Sequence, residues 1–565
     1  MSIYKKLSEE RKYLQEIGEL PDWVNTNSYQ MLKDKYLDEG ETLRQRFKKI
    51  AYTAAQYIPD EGRGVWMDKF FNILWKGWLA ASTPVLANMG KEKGCPVSCS
   101  GSYIGDSVYD FYSTQLETAI LSKNGFGTSG YLGDIRPRGA NINGMKGGAS
   151  GIVPVFKDFI QLSRDISQGS SRRGAWAGYV PIDHGDFYEL LTFISKYPDD
   201  ANIGWVISDS FVTRLNNGDS EAVERYQKAL KLKMVTGKGY FFFVDKVNKL
   251  NPQCYKDKKL KVLASQLCTE ITLYSSQEES YTCVLSSLNI SKYDEWKNTD
   301  TIFASTLFLH CVALNFIDIA KDIPGLEKAV KFTKDNMALG LGALGFHTYL
   351  QDNSIPLESF DAHLLNQKIF KEIDDKSYEA SRWIADIFGE CKNTLGYDIA
   401  NTHRIAVAPN LSSALICGGV SQGIEPVYKN AYIQGSASGE MNRINPSLLR
   451  IIKNKGLNEE KVISDIINNN GSVQHVSWLS DHEKLVFKTA FEIDQKTIIR
   501  LASARQKYID QAQSINLFFS ADEDEGYISE VHQLAFNDPY IKSLYYIRSE
   551  AGVQASKGVC LACEG

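Results

Sequence analysis

Ten cysteines run from Cys95 to Cys563 in this 565-residue chain, and several stand beside residues that could put sulfur to work. In "SQLCTEI", Cys268 and Glu270 are two apart, so an extended backbone would send both side chains to the same side. A sulfur so placed can react with a substrate while the carboxylate moves a proton. The plain alternative is a small buried thiol beside a surface carboxylate. Cys99 in "CPVSCSGSYIGDS" and Cys283 in "ESYTCVLSSLNIS" lie in β-prone runs bounded by turn residues, so each could project from a strand end into one cavity. Meeting there, the two could supply two electrons by forming a disulfide, which another dithiol must then reduce by exchange. The last residues, "IKSLYYIRSEAGVQASKGVCLACEG", hold Tyr545, Tyr546 and the pair Cys560 and Cys563. From about Ser549 the apolar period is lost, which predicts a mobile tail able to carry that second dithiol.

Other segments offer contacts for anions. "VAPNLSSALICGG" puts Pro409, Asn410, Leu411, Ser412 and Ser413 at the start of an apolar helical run, where backbone amides and hydroxyls could hold a phosphate or simply cap the helix. The Gly-rich loops "DIRPRGANINGMKGG" and "SQGSSRRGAWAG" carry Arg136, Arg138, Arg172 and Arg173, either anion clamps or ordinary solvated arginines. "GFGTSG" from Gly125 and "GLGALG" from Gly340 both match GxGxxG. The first follows a helical pattern and the second a charged segment, so close backbone approach explains them better than a dinucleotide turn.

The elements that must position these residues read as follows. "ETLRQRFKKIAYTAAQYI" and "GVWMDKFFNILWKGWLAAS" repeat apolar residues at helical spacing, and from "STPVLANMG" onward short apolar segments alternate with helical ones. That texture predicts an α/β architecture, strands inside and helices outside, behind a helical lead-in. The uncharged run from Thr301 to Ile317 contains His310 and Asn315 and suits a buried helix better than a membrane span. A net charge of −5 argues against nucleic-acid binding. The charged N-terminus lacks a signal-peptide pattern, so the thiols are expected reduced in a cytoplasmic enzyme. Eight histidines with no HExxH give no support for a metal bound by this chain.

The ordered series Thr83-Pro84, Cys99, Gly105-Asp106-Ser107, "SQGSSRRGA", "LCTEI", Cys283, "APNLSS…QGIEP", Tyr545-Tyr546 and a terminal Cys pair resembles the large (alpha) subunit of class I ribonucleotide reductase. The resemblance implies a ten-stranded α/β barrel over residues 83–548, a helical region over 1–82 and a redox-active tail over 549–565. It implies that Cys268, on a loop inside the barrel, is the thiyl-radical residue that removes the 3′ hydrogen, Glu270 the base at the 3′ hydroxyl, and Cys99 with Cys283 the pair that reduces the 2′ position and ends as a disulfide. Gln266 stands where the family pattern has Asn, with an amide still available. Thr83, Ser98, Gly125 and Pro409 to Ser413 match substrate-holding positions, although the spacing around Ser412 departs from the common P-S-E-T-S form. Asp106, Ser107 and Arg136 match a deoxynucleotide effector site, with Gln168, Arg172 and their loop to Gly174 as its link to substrate choice.

Tyr545 and Tyr546 match the pair that passes a radical from a separate, metal-containing small (beta) subunit. Also implied are a homodimer, thioredoxin or glutaredoxin as reductant of the tail, ribonucleoside diphosphate substrates, and ATP or dNTP effectors accompanied by magnesium. The stretch before Thr83 does not resemble an ATP-cone, so on/off control by ATP and dATP is expected in the partner or nowhere. Competing readings are an adenosylcobalamin-dependent reductase, which has no use for adjacent tyrosines, and a glycyl-radical enzyme, disfavoured without an RVxGY-like segment. A non-catalytic nucleotide-binding regulator, with Cys95, Cys99, Cys560 and Cys563 sharing a zinc, is the reading from another class.

Overall fold

The computed structural model describes residues 3–549 apart from 93, 98, 169–171, 199–200 and 437–438. Its first part is helical: Ile3–Glu16, Thr26–Lys35, Leu43–Ala55 and Asp60–Trp75. The third of these shows why. Thr42 and Gln45 form a reciprocal capping box, and Leu43, Phe47, Ile50, Ala51 and Ala54 present one buried face. Arg46 on the same helix is fully buried, and its guanidinium donates to the carbonyls of Val85, Leu86 and Met89 at the end of the short helix Thr83–Asn88. A cation satisfying those last carbonyls locks the helical part onto the segment that carries Thr83.

Nine strands join in one sheet around the centre of the molecule. Cys99–Tyr103, Gly127–Tyr131, Trp176–Pro181, Asn202–Ile207 and Tyr240–Phe243 run parallel in that order. At one seam the Cys99 strand meets Tyr281–Asn289 antiparallel, and the latter continues in parallel to Leu339–Leu344. At the other seam Ser543–Leu544 lies antiparallel to the Tyr240 strand.

Single bridges close the remaining gap. Leu341 pairs with Ile405, Val407 pairs with Gln513, and the Tyr545 amide donates to the Ile515 carbonyl. Among the described residues the ring therefore has ten staves, the number the family resemblance implies, arranged as two sets of five parallel strands meeting antiparallel. Leu79–Ala81 is an added strand on the Cys283 stave. Strands such as Tyr240–Phe243 and Tyr281–Asn289 are buried on both faces, as expected of parallel staves sheathed by helices.

Both GxGxxG matches contribute to strands and not to a nucleotide turn. A Cβ at Gly130 would fall 2.6 Å from Ile104, and one at Gly340 would fall 2.4 Å from Leu285 and 3.0 Å from the Cys283 sulfur. These glycines let staves approach side chains that occupy the space. The apolar run forms the helix Thr301–Ala320, long and apolar enough to cross a membrane, yet most of it is buried inside the protein against neighbouring helices and strands.

Candidate active site

Three chain segments meet at the barrel axis: a turn carrying Gln266, Cys268 and Glu270, the seam carrying Cys99 and Cys283, and the final stave carrying Tyr545 and Tyr546. The turn is a loop inside the barrel, where the family resemblance puts the radical cysteine, and it is not the extended segment on which the two-residue spacing would have aligned the side chains. Cys268 and Glu270 do not lie on an extended strand, and the residue between them, Thr269, sits in the left-handed region at φ 69°. A β-branched residue is seldom found there, so its surroundings must hold it. They do: Ser543 Oγ donates to the Thr269 carbonyl at 3.1 Å, Tyr179 Oη donates to the Gln266 carbonyl at 2.6 Å, and Ser514 Oγ donates to the Cys268 carbonyl at 2.5 Å. The Cys268 side chain is half-buried within this cage.

Glu270 is 1% exposed, and burial pushes its carboxyl up to about 7. The Gln266 amide, the backbone and the Ser514 hydroxyl, 3.0 Å from Glu270 Oε2, pull it partly back. A carboxyl that titrates near neutrality can both take and return a proton during turnover. Gln266 Oε1 accepts from Ser265 Oγ at 3.0 Å and from the Ile271 amide at 3.3 Å. Its Nε2 is buried, makes no hydrogen bond of good geometry to the described residues, and lies near enough to the Glu270 carboxyl to favour its charged form. Leaving such a donor unmet is costly, and a bound polar group would meet it.

Cys99 and Cys283 stand directly opposite each other across the antiparallel seam. Opposed residues on such strands have Cα atoms about 4.5–5.5 Å apart, inside the span of roughly 4.4–6.8 Å that a disulfide bridges. Both are thiols here; Cys99 is half-buried and Cys283 fully buried, with its acidity weakened by that burial and by the nearby Glu270 charge.

Tyr545 Oη donates to Cys268 Sγ at 3.5 Å. The Tyr545 and Tyr546 ring centroids are 4.0 Å apart, and the buried Tyr240 touches both rings, its hydroxyl 3.3 Å from that of Tyr546. The buried Lys233 ammonium donates to the Tyr545 carbonyl and, at 3.0 Å, to that of Gly239, fixing the backbone of the pair.

The anion-binding candidates lie at helix starts, in loops and on a short hairpin. Asn410 opens the helix Leu411–Ile416 with φ 60° and makes no capping bond. Its side chain instead accepts from Ser287 Oγ at 3.0 Å and donates to the Ala343 carbonyl at 3.1 Å, so Ser412 and Ser413 fall in the first helical turn and the first amides are left uncapped by it. Thr83 opens its own short helix, with Tyr36 Oη 3.3 Å from its hydroxyl. Gly125 takes φ 99° just before the Gly127 strand. Ser107 caps the helix Val108–Lys123, and Arg136 Nε is 2.5 Å from Asp106 Oδ2. Gln168 pairs with Arg172 across a short hairpin. Ser98 and the tail thiols Cys560 and Cys563 lie outside the described residues. Sequence reading missed Ser514, Gln511, Tyr240 and Tyr179, all brought to the site by the fold. "DQAQSINLFF", a polar run inside an apolar strand-like stretch, was the available signal for the first two.

The family models agree with this geometry. The ribonucleotide reductase barrel domain matches residues 97–225, 220–398 and 392–547, and the ribonucleotide reductase all-alpha domain matches 23–94. A ribonucleoside-diphosphate reductase large subunit assigned in Frog virus 3 is 33% identical over 534 residues, covering 88% of this chain and 92% of its own. That of Invertebrate iridescent virus 3 is 29% identical, covering 92% and 93%. The solved Actinobacillus ureae class Id ribonucleotide reductase alpha subunit superposes with a TM-score of 0.86 at 38% identity, covering 94% of this chain and 98% of that one. With its barrel, its cysteine seam and its tyrosine pair in one site, this chain belongs to the ribonucleotide reductase large-subunit family.

Proposed function

We propose that this chain reduces ribonucleoside diphosphates to 2′-deoxyribonucleoside diphosphates through a thiyl radical on Cys268, generated by way of Tyr546 and Tyr545 from a separate small subunit. The observation that carries the reading is the hydrogen bond from Tyr545 to the Cys268 sulfur with Tyr546 in ring contact behind it. A phenoxyl at Tyr545 would take the hydrogen atom of the Cys268 thiol, leaving the sulfur radical facing the cavity. Cys268 then removes the 3′ hydrogen of the ribose while Glu270, poised near neutrality, takes the proton of the 3′ hydroxyl. Gln266 offers its unsatisfied N–H to the substrate. Cys99 and Cys283 protonate and reduce the 2′ carbon as water leaves, and their register lets them end as a disulfide.

Substrate phosphates fit the uncapped amides at Leu411 to Ser413, with Thr83, Ser98 and Gly125 along the remaining wall. Asp106 and Ser107, at the start of the helix Val108–Lys123, and Arg136, paired to Asp106 from a loop, are the effector site, with nucleotides entering as magnesium complexes. That helix leaves Val108, Tyr109, Tyr112 and Leu116 exposed on its surface, Tyr109 by 81%. An apolar stripe of this kind fits pairing with a second copy, which would place the effector site beside the dimer contact. Cys560 and Cys563 return electrons to the pair from thioredoxin or glutaredoxin, in a cytoplasmic setting.

The test is turnover of each ribonucleoside diphosphate by the chain with a matched small subunit, with and without deoxynucleotide effectors. Turnover only with adenosylcobalamin, and none with a small subunit, would reject the relay.

A further inference from the structure

The two sulfurs of the seam are not equivalent, and the difference centres on Gln511. Cys283 is fully buried, whereas Cys99 retains some exposure. Gln511 Nε2 donates to Cys283 Sγ at 3.4 Å and to the Leu339 carbonyl at 2.8 Å, while its Oε1 accepts from the Thr272 amide at 3.1 Å. Both ends of the amide are thus specified, which settles its orientation. Its backbone is held as firmly: the Gln511 carbonyl accepts from the buried Lys542 ammonium at 2.6 Å and from Gln506 Nε2 at 2.8 Å. One side chain therefore ties the Cys283 stave and the Leu339 stave to the segment leaving the Cys268–Glu270 turn. Across Cys283, the missing side chain of Gly340 leaves the space its sulfur occupies.

We propose that Gln511 is a positioning residue for re-reduction of the seam: it holds the Cys283 sulfur as the leaving group, so that an incoming dithiol attacks Cys99. The inference rests on the reading of Cys99 and Cys283 as the reducing pair. In the first step a thiolate of the dithiol bonds to Cys99 Sγ as the Cys99–Cys283 bond breaks, and the electron pair leaves on Cys283 Sγ. In the second, the other thiol of the dithiol, as thiolate, displaces the Cys99 sulfur from the mixed disulfide. The dithiol ends as a disulfide, and Cys99 and Cys283 each take up a proton. Departure of a buried thiolate is the unfavourable part, because burial and the Glu270 charge both oppose it. The Gln511 N–H opposes that penalty at the atom where the charge develops. Attack in the other sense would require the nucleophile to reach a sulfur with no exposed surface.

The test uses the full chain oxidised with diamide in the absence of nucleotide. With dithiothreitol, Gln511→Met and Gln511→Glu should re-form the seam thiols about tenfold more slowly than the unsubstituted chain, the scale of one hydrogen bond to a charged group. Their first turnover from the reduced state should fall by a clearly smaller factor. Glutathione, a monothiol, should stall at a mixed disulfide that peptide mapping places on Cys99. Equal slowing of first turnover and re-reduction, unchanged re-reduction in folded variants, or a mixed disulfide on Cys283 would overturn the proposal. If either variant fails to fold, mapping on the unsubstituted chain still decides the direction of attack. Absence of any Cys99–Cys283 disulfide after diamide would reject the reducing-pair reading along with it, whereas a disulfide that forms but is attacked at Cys283 rejects the role of Gln511 alone.

Discussion

Cys268 and the Cys99–Cys283 seam are two sulfur stations in one barrel, built in opposite ways. Cys268 sits on an irregular turn with a left-handed Thr269, held by three hydroxyl donors from distant strands. The seam cysteines sit on regular strands in register, so the ladder alone sets their backbones opposite each other, and Gln511 holds only the Cys283 sulfur. The contrast matches the chemistry proposed for each. A one-electron carrier must keep a single sulfur close to a phenol and to the substrate, and irregular backbone can aim it. A two-electron carrier must bring two sulfurs within bonding reach, which an antiparallel seam does by default.

The largest effects should come from cutting the one-electron side. Cys268→Ser or Tyr545→Phe should abolish deoxynucleotide formation while nucleotide binding, read by calorimetry, stays within a few-fold. Turnover by either variant above the assay background would remove that side from the mechanism.

Cutting the two-electron supply should look different in kind. Cys560→Ser with Cys563→Ser should stop the pre-reduced chain after about one product per active site when a thioredoxin-type protein is the reductant, as expected of a relay that has lost its carrier. Multiple turnovers at an undiminished rate would show that the tail is dispensable; loss of the first product would point to a structural role.

Glu270→Gln lies between these extremes and carries a stability signature. Its carboxyl is raised in the folded chain from the usual 4.5 to about 7, so between those pH values the folded state holds more protons than the unfolded one, and stability falls as pH rises through that window. The shift corresponds to about 3 kcal/mol at most. Glu270→Gln should therefore raise Tm more at pH 8 than at pH 5 while lowering kcat. A Tm change of the same size at both pH values would contradict the buried, destabilising carboxylate.

Much of this was legible in the chain itself. The alternation of short apolar runs with helices announced an α/β core, and the family resemblance carried by the ordered cysteine and tyrosine motifs implied the barrel and named the candidate site residues. What could not be read was geometry set by partners far along the chain. The family resemblance implied a loop for "LCTEI", but not that Ser514, Ser543 and Tyr179, from three other staves, would hold it as a turn with Thr269 left-handed. The GxGxxG segments were separable from nucleotide turns by their flanks, yet only packing shows what their glycines face, such as the Cys283 sulfur beyond Gly340. The helix start at Pro409 to Ser413 could hold a phosphate or simply be capped, and only the fold shows the Asn410 side chain diverted from capping by Ser287 and the Ala343 carbonyl on neighbouring strands.

The smallest of the expected effects is also the one that joins the two halves of the turn. Ser514 Oγ lies 2.5 Å from the Cys268 carbonyl and 3.0 Å from Glu270 Oε2, but a hydroxyl has one proton to give. With Glu270 protonated, the carboxyl can donate to Ser514 while the serine donates to the Cys268 carbonyl, and every group is satisfied. Once Glu270 ionises, the serine proton is drawn to the carboxylate and the carbonyl beneath the reactive sulfur loses its donor. Proton transfer at Glu270 is thereby linked to the backbone that aims Cys268. Ser514→Ala removes the donor that favours the charged carboxyl, so the acidic limb of the kcat–pH profile should move upward by about one unit, equivalent to about 1.4 kcal/mol. Activity should then fall several-fold at pH 6.5 and much less at pH 8.5. A uniform loss across the profile would mean that Ser514 supports the turn without touching the protonation of Glu270.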